Sequence, residues 1–180
     1  MKIMKILIPL DGSPGAEAAL LEAIQFLEQN NGARFVLVRA VDPTGQPAPG
    51  ATGTPLADVN EAAEYLGSVA EQLREKGVSL VDRSVWYAPA GPAIVEAVRA
   101  AKPDLIVMTA DRRNGAGHLI PGPVAGFVMH RTGMPLVLVP AENTWIFHRV
   151  SASISSIGSR NAASPDEPDA LPRVEVPVPG

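Results

Sequence analysis

The chain has 180 residues, a formal net charge of −4 and no cysteine. That length suits one domain with a full core plus a tail and is short for two domains. The acidic balance gives nonspecific binding to nucleic acid or anionic lipid no electrostatic support, and the missing thiols exclude disulfides, thiolate catalysis and cysteine-ligated metal.

Apolar residues make up 46% of the chain and aromatics only 4%, so Val, Leu, Ile, Ala and Met must build the core. Such a core favours α/β packing over an aromatic-rich β sandwich. The amino terminus, MKIMKILIPLDGS, has two lysines and a short apolar run, but Asp11 follows at once and there is no small-residue cleavage site. It reads as a first strand over 3–10 and not as a signal peptide. Asp11, Gly12 and Ser13 then make a turn, with Ser13 as N-cap of a helix through Gln29. That helix has one apolar stripe of Ala16, Ala19, Leu20, Ala23, Ile24 and Leu27. A second strand spans 34–41 and stops at Asp42 and Pro43. The proline- and glycine-rich stretch 43–57 reads as an irregular crossover.

Asp58 is expected to cap a long helix to Lys76, with Val59, Ala62, Ala63, Leu66, Val69, Ala70 and Leu73 inward and Gly77 at its end. A third strand is expected over 78–88, a turn over 89–92, and a helix over 93–101. Leu105 to Met108 are four consecutive apolar residues, the pattern of a strand buried on both faces, and Thr109 is expected to open a glycine- and arginine-bearing loop. Gly122 and Pro123 start a helix to Arg131. Leu136 to Val139 form a fifth strand ended by Pro140. Strands alternating with helices in this way predict a three-layer α/β/α domain over 1–140 around a parallel sheet. A strand delivering such a loop to a helix amino end is a place where these sheets bind anions.

From Ala141 the composition turns to serine, alanine and proline, so 141–180 reads as a separate, irregular C-terminal tail, partly disordered or docked on a partner subunit. Two pieces show partial alternation and are candidate edge strands, 144–154 and 173–178. The apolar Trp145, Ile146, Phe147 and Val150 suggest docking on a second subunit.

Three segments, MKILIPLDGS, VRAVDP and DLIVMTADRRNGAGHLIPGPVAGFVMHRTGMPLVLVP, occur in the order that resembles the universal stress protein family, within the adenine nucleotide alpha hydrolase-like superfamily. The resemblance covers residues 1–140. It implies a five-stranded parallel sheet of order 3-2-1-4-5, a homodimer commonly formed through the fifth strand, and in many members ATP between the ends of the first and fourth strands. The cytoplasmic location is expected from the absence of cysteine, which suits a reducing compartment. On the base and ribose side, Pro9, Asp11, Val41, Met108 and Val124 match the family's positions.

On the phosphate side, ATP-binding members carry Gly, two residues, Gly, nine residues, Gly, then Ser or Thr. With Gly122 as the last glycine, the earlier ones fall on Thr109 and Arg112, and the hydroxyl falls on Pro123. Thr109 and Arg112 do not allow the close backbone approach of glycine, and Pro123 removes both a hydroxyl and an N–H. Losing two charge-assisted donors weakens a phosphate site by ~3 to 6 kcal/mol unless something replaces them. Arg112 and Arg113 add positive charge beside the site, and Gly115 and Gly122 keep the loop pliable.

No GxGxxG, Walker A or GxSxG pattern is present, and His118, His130 and His148 have no zinc-ligand spacing. Asp111 is the one loop carboxylate that would meet Mg²⁺ beside a bound ATP. Three readings follow. The first is a dimeric stress-response or regulatory module with a modified loop and weak or no ATP binding. The second is an ATP- or AMP-binding regulator. The third, ranked last, is a slow ATPase or nucleotidyl transferase, which no positioned base or metal cluster supports.

Overall fold

Strands that cross the middle of a sheet send alternate residues to opposite faces, and here each face meets its own pair of helices. The computed structural model describes residues 5–29, 33–44, 55–78, 80–110, 112–113, 119–140 and 173–174. Its elements run β1 (Lys5–Pro9), α1 (Pro14–Gln29), β2 (Arg34–Val41), α2 (Pro55–Glu75), β3 (Val81–Tyr87) and α3 (Ala90–Ala101). They continue with β4 (Leu105–Ala110), β5 (Arg112–Arg113), β6 (Leu119–Ile120), α4 (Pro123–Thr132), β7 (Leu136–Pro140) and β8 (Arg173–Val174).

The main sheet has the order β7-β4-β1-β2-β3-β8. Its five long strands are parallel and follow the expected 3-2-1-4-5 pattern, with β7 as the fifth strand. Ile6, Ile8, Phe35, Leu37, Leu105 and Val107 face a core closed by α1 and α2. Leu7, Val36, Val38, Ile106 and Met108 face the other core, closed by α3 and α4. In β1, β2 and β4 the centre is therefore apolar on both faces, which is why these strands read as continuous hydrophobic runs.

Several boundaries differ from the sequence expectation, each for a local reason. α2 starts at Pro55, so Asp58 lies inside its first turn. Proline suits the first helical position, where its missing N–H would have no partner in any case. α3 starts at Ala90, with the Ala93 N–H donating to Pro89 O at 3.0 Å, so the expected turn over 89–92 is mostly helix. β3 starts later than expected because Val78 closes the end of α2: its N–H donates to Leu73 O at 2.9 Å, next to Gly77 at φ +88°. β4 runs on through Thr109 and Ala110, which stand opposite Val139 and Pro140, so Thr109 is strand and not loop.

Tail residues Arg173 and Val174 form β8, antiparallel to β3 at Trp86 and Val85. The other candidate tail strand, 144–154, and the stretch 155–171 lie outside the described residues, as do Asp111, Gly115, His118 and most of the 43–57 crossover.

Candidate functional site

The two central strands part company at their carboxyl ends. β1 pairs with β2 along its whole length, from Lys5↔Arg34 to Pro9↔Val38. It pairs with β4 only at Ile6↔Leu105 and Leu7↔Ile106, although β4 continues to Ala110. Here the chain order of the sheet reverses direction, and the connections that follow β1 and β4 leave toward opposite faces. A crevice at such a switch point is where open α/β sheets receive ligands.

One wall of the crevice is the β1–α1 turn. Asp11 is exposed, and its Oδ1 accepts the Ser13 N–H at 2.8 Å, an Asx turn. Ser13 Oγ in turn accepts the Ala16 N–H at 3.2 Å, so Ser13 caps α1 as its sequence position suggests. Between them Gly12 has φ +83°, a left-handed value that L side chains rarely adopt. A Cβ there would also come within 3.0 Å of Arg39 Nη1.

Beneath this turn lies a polar cluster that the sequence reading did not single out. Glu17, in the first turn of α1, is 1% exposed, and the Tyr65 hydroxyl from α2 donates to its Oε1 at 2.9 Å. The Arg39 guanidinium, from β2, stands 4.9 Å from the Tyr65 ring centroid, a cation–π distance. Burial, and then the Glu17 charge and hydrogen bond, push the Tyr65 phenol far above its ordinary value, so it stays a proton donor. Arg39 and Asp11 both lie within electrostatic reach of that phenol, with opposite effects. The sequence signal was present: Tyr65 lies three residues after Ala62 and Glu17 three before Leu20, both on inward stripes.

Of the other base-side positions, Pro9 ends β1 and is half-buried, and Val41 ends β2 and is buried. Met108 is a buried member of the core under α3 and α4, and the half-buried Val124 packs against that core. These four positions lie in the cores or at strand ends, whereas Asp11 is exposed at the crevice with its Oδ1 accepting the Ser13 N–H.

The opposite wall is the β4–α4 connection. Thr109 is half-buried within β4. Arg112 and Arg113 pair by backbone with Ile120 and Leu119, so part of the connection is a small antiparallel ribbon. Gly122 is the N-cap of α4 at φ −68°, ψ 176°, an extended conformation open to any residue, and it offers no side-chain cap. Pro123 has no N–H, and Gly126 N–H already donates to Gly122 O at 2.8 Å. The first turn of α4 therefore offers the backbone N–H groups of Val124 and Ala125, and it contains no acidic residue. Among the described residues no group of three or more His, Cys, Asp or Glu could hold a metal ion. No helix among them is long and apolar enough to cross a membrane.

Residues 2–140 match the model of the Universal stress protein family. The chain belongs to that family. The fold is also that of solved universal stress proteins. A universal stress protein in complex with cAMP is 18% identical and aligns over 78% of this chain and 99% of its own, with a TM-score of 0.58. A family protein from Arabidopsis thaliana with AMP bound is 14% identical over 76% of this chain and 91% of its own, with a TM-score of 0.56. The universal stress protein of Archaeoglobus fulgidus in complex with dAMP is 20% identical over 77% and 98%, with a TM-score of 0.53. A comparison with curated proteins finds no significant match. As a universal stress protein, the chain carries its family region up to Pro140, and β8 lies beyond it.

Proposed function

We propose that this universal stress protein is a cytoplasmic regulatory module that binds an adenosine monophosphate in the crevice between β1 and β4 and gains little from further phosphates. The observation that carries this reading is the asymmetry of the two walls. Asp11 is presented by a turn fixed through hydrogen bonds on one side, while on the phosphate side the described start of α4 offers two backbone donors, from Val124 and Ala125. Two N–H groups at a helix amino end suit one phosphate group. A triphosphate needs more donors than this turn supplies, and Pro123 stands where the family's ATP-binding loop has a hydroxyl. The cAMP, AMP and dAMP complexes of the solved relatives support a monophosphate ligand.

Calorimetric titration with AMP, cAMP and ATP tests it. The expected result is saturable micromolar binding of AMP, with ATP bound no more tightly. ATP binding ten times tighter than AMP would overturn the reading, as would the absence of heat with all three. In this reading occupancy alters the assembly or partners of the module, and no residue acts as a catalyst.

Assembly is through the outer edge of β7. Leu136, Val137 and Leu138 are half-buried there, and β7 is the last strand on its side of the sheet. Light scattering of a Val137→Lys variant is expected to show a monomer where the parent chain is a dimer; an unchanged dimer would exclude β7. Deleting 141–180 asks separately whether the tail contributes to that dimer.

A further inference from the structure

Resting on the adenosine reading above, we infer that Arg39 is a positioning residue that holds the Asp11–Ser13 turn in its ligand-ready shape. Its guanidinium lies directly under Gly12, at a distance that leaves room for a glycine Cα and no more: an added Cβ would be 3.0 Å from Nη1, 3.3 Å from Cζ and 3.4 Å from Nη2.

Arg39 is itself held from below. Its flat head stands over the Tyr65 ring, and Tyr65 is tied by its hydroxyl to the buried Glu17. Glu17 belongs to α1, the helix that Ser13 caps, so the support closes a loop: turn, Arg39, Tyr65, Glu17, helix, turn. The turn itself persists while the Asp11 Oδ1 accepts the Ser13 N–H, at 2.8 Å.

This arrangement differs from a direct ligand contact in a measurable way. A positioning residue affects every ligand that Asp11 meets, at the ribose end, and is indifferent to the phosphate. A lysine keeps the charge but loses the flat, stacked head, so it restores function in part.

The experiment compares the parent chain with Arg39→Gln and Arg39→Lys. Amide exchange by NMR is read at Ser13 and at Leu7 and Leu37 in the strand centres, and calorimetry is run with adenosine and AMP. In Arg39→Gln the Ser13 amide is expected to exchange about tenfold faster while Leu7 and Leu37 keep their protection, with an intermediate value for Arg39→Lys. Adenosine and AMP affinities are expected to fall by the same factor, about tenfold.

Unchanged Ser13 exchange overturns the inference, and so does a uniform acceleration at all three amides, which would mark a general structural role. A loss confined to AMP overturns it too, since Arg39 would then meet the phosphate itself. If the parent chain binds neither ligand, the functional reading fails alone, and Ser13 exchange decides the role of Arg39 by itself.

Discussion

The two walls of the crevice leave the same edge of the same sheet, yet they are built differently. The β1–α1 turn rests on a stack of side chains from three elements, Arg39, Tyr65 and Glu17, ending in a residue 1% exposed. Of the β4–α4 connection, the described residues are a short ribbon paired by backbone, Gly122 without a side-chain cap, and a proline. A site held from beneath keeps its geometry without ligand, whereas one formed by a loop depends on the donors that loop happens to carry. On the proposed reading, the contrast is how a chain keeps the adenosine end of a nucleotide site while its phosphate loop changes.

Tyr65→Ala breaks this comparison most severely. It removes a buried aromatic, the perch of Arg39 and the donor to Glu17, and is expected to cost ~3 to 5 kcal/mol in urea unfolding. A loss below about 1 kcal/mol would mean that the stack is not supporting the turn. The double variant Arg112→Gly with Pro123→Ser sharpens the other wall. Restoring a hydroxyl, an N–H and a pliable backbone is expected to raise ATP affinity by about tenfold or more, with a smaller gain for AMP. No gain in a folded protein would show that these two positions are not what limits phosphate binding.

Gly12→Ala is expected to destabilise the chain by ~1 to 3 kcal/mol, through the left-handed backbone and the contact with Arg39. In an Arg39→Ala background the contact is gone, so the same substitution should cost measurably less; equal costs in both backgrounds would show that Arg39 does not press on the turn. The smallest effect is on pH dependence. Tyr65 has a folded pKa raised above its unfolded value of 10.0, so the stability it contributes is complete below pH 10 and is lost as pH rises above it. Thermal melts should therefore fall more steeply above pH 10 for the parent chain than for Tyr65→Phe. Parallel curves would show that Tyr65 ionises no differently in the folded and unfolded chain.

Much of the fold was legible because the central strands are apolar on both faces. Ile6 to Ile8, Val36 to Val38 and Leu105 to Met108 leave few alternatives to a covered parallel sheet. The starts of α2 and α3 were not, because proline and glycine around Pro55 and Pro89 suggest a loop by composition even where they begin a helix. At the site, Asp11, Gly12 and Ser13 announced a turn by residue type alone. Their support was legible only in part: Glu17 and Tyr65 lie on inward helical stripes, but their meeting across 48 residues of sequence is not written in either stripe. Glu17 and Arg39 are also charged residue types that usually face solvent. Val41, Met108 and Val124 were matched by position, and their burial shows why apolar residues stand there.

Among the described residues, one border strand of the sheet has a further strand beside it and the other has none. β8 lies along β3 at Val85 and Trp86, whereas β7 borders the opposite side with half-exposed apolar residues. Had both borders been open, β7 of one copy could join β3 of the next, a head-to-tail contact that repeats without end and grows fibres. With a piece of the tail on β3, the proposed assembly through β7 is a self-complementary contact, β7 against β7, that closes after two copies. On the proposed assembly through β7, Arg173 and Val174 are a stop on polymer growth, placed on the far side of the sheet from β7.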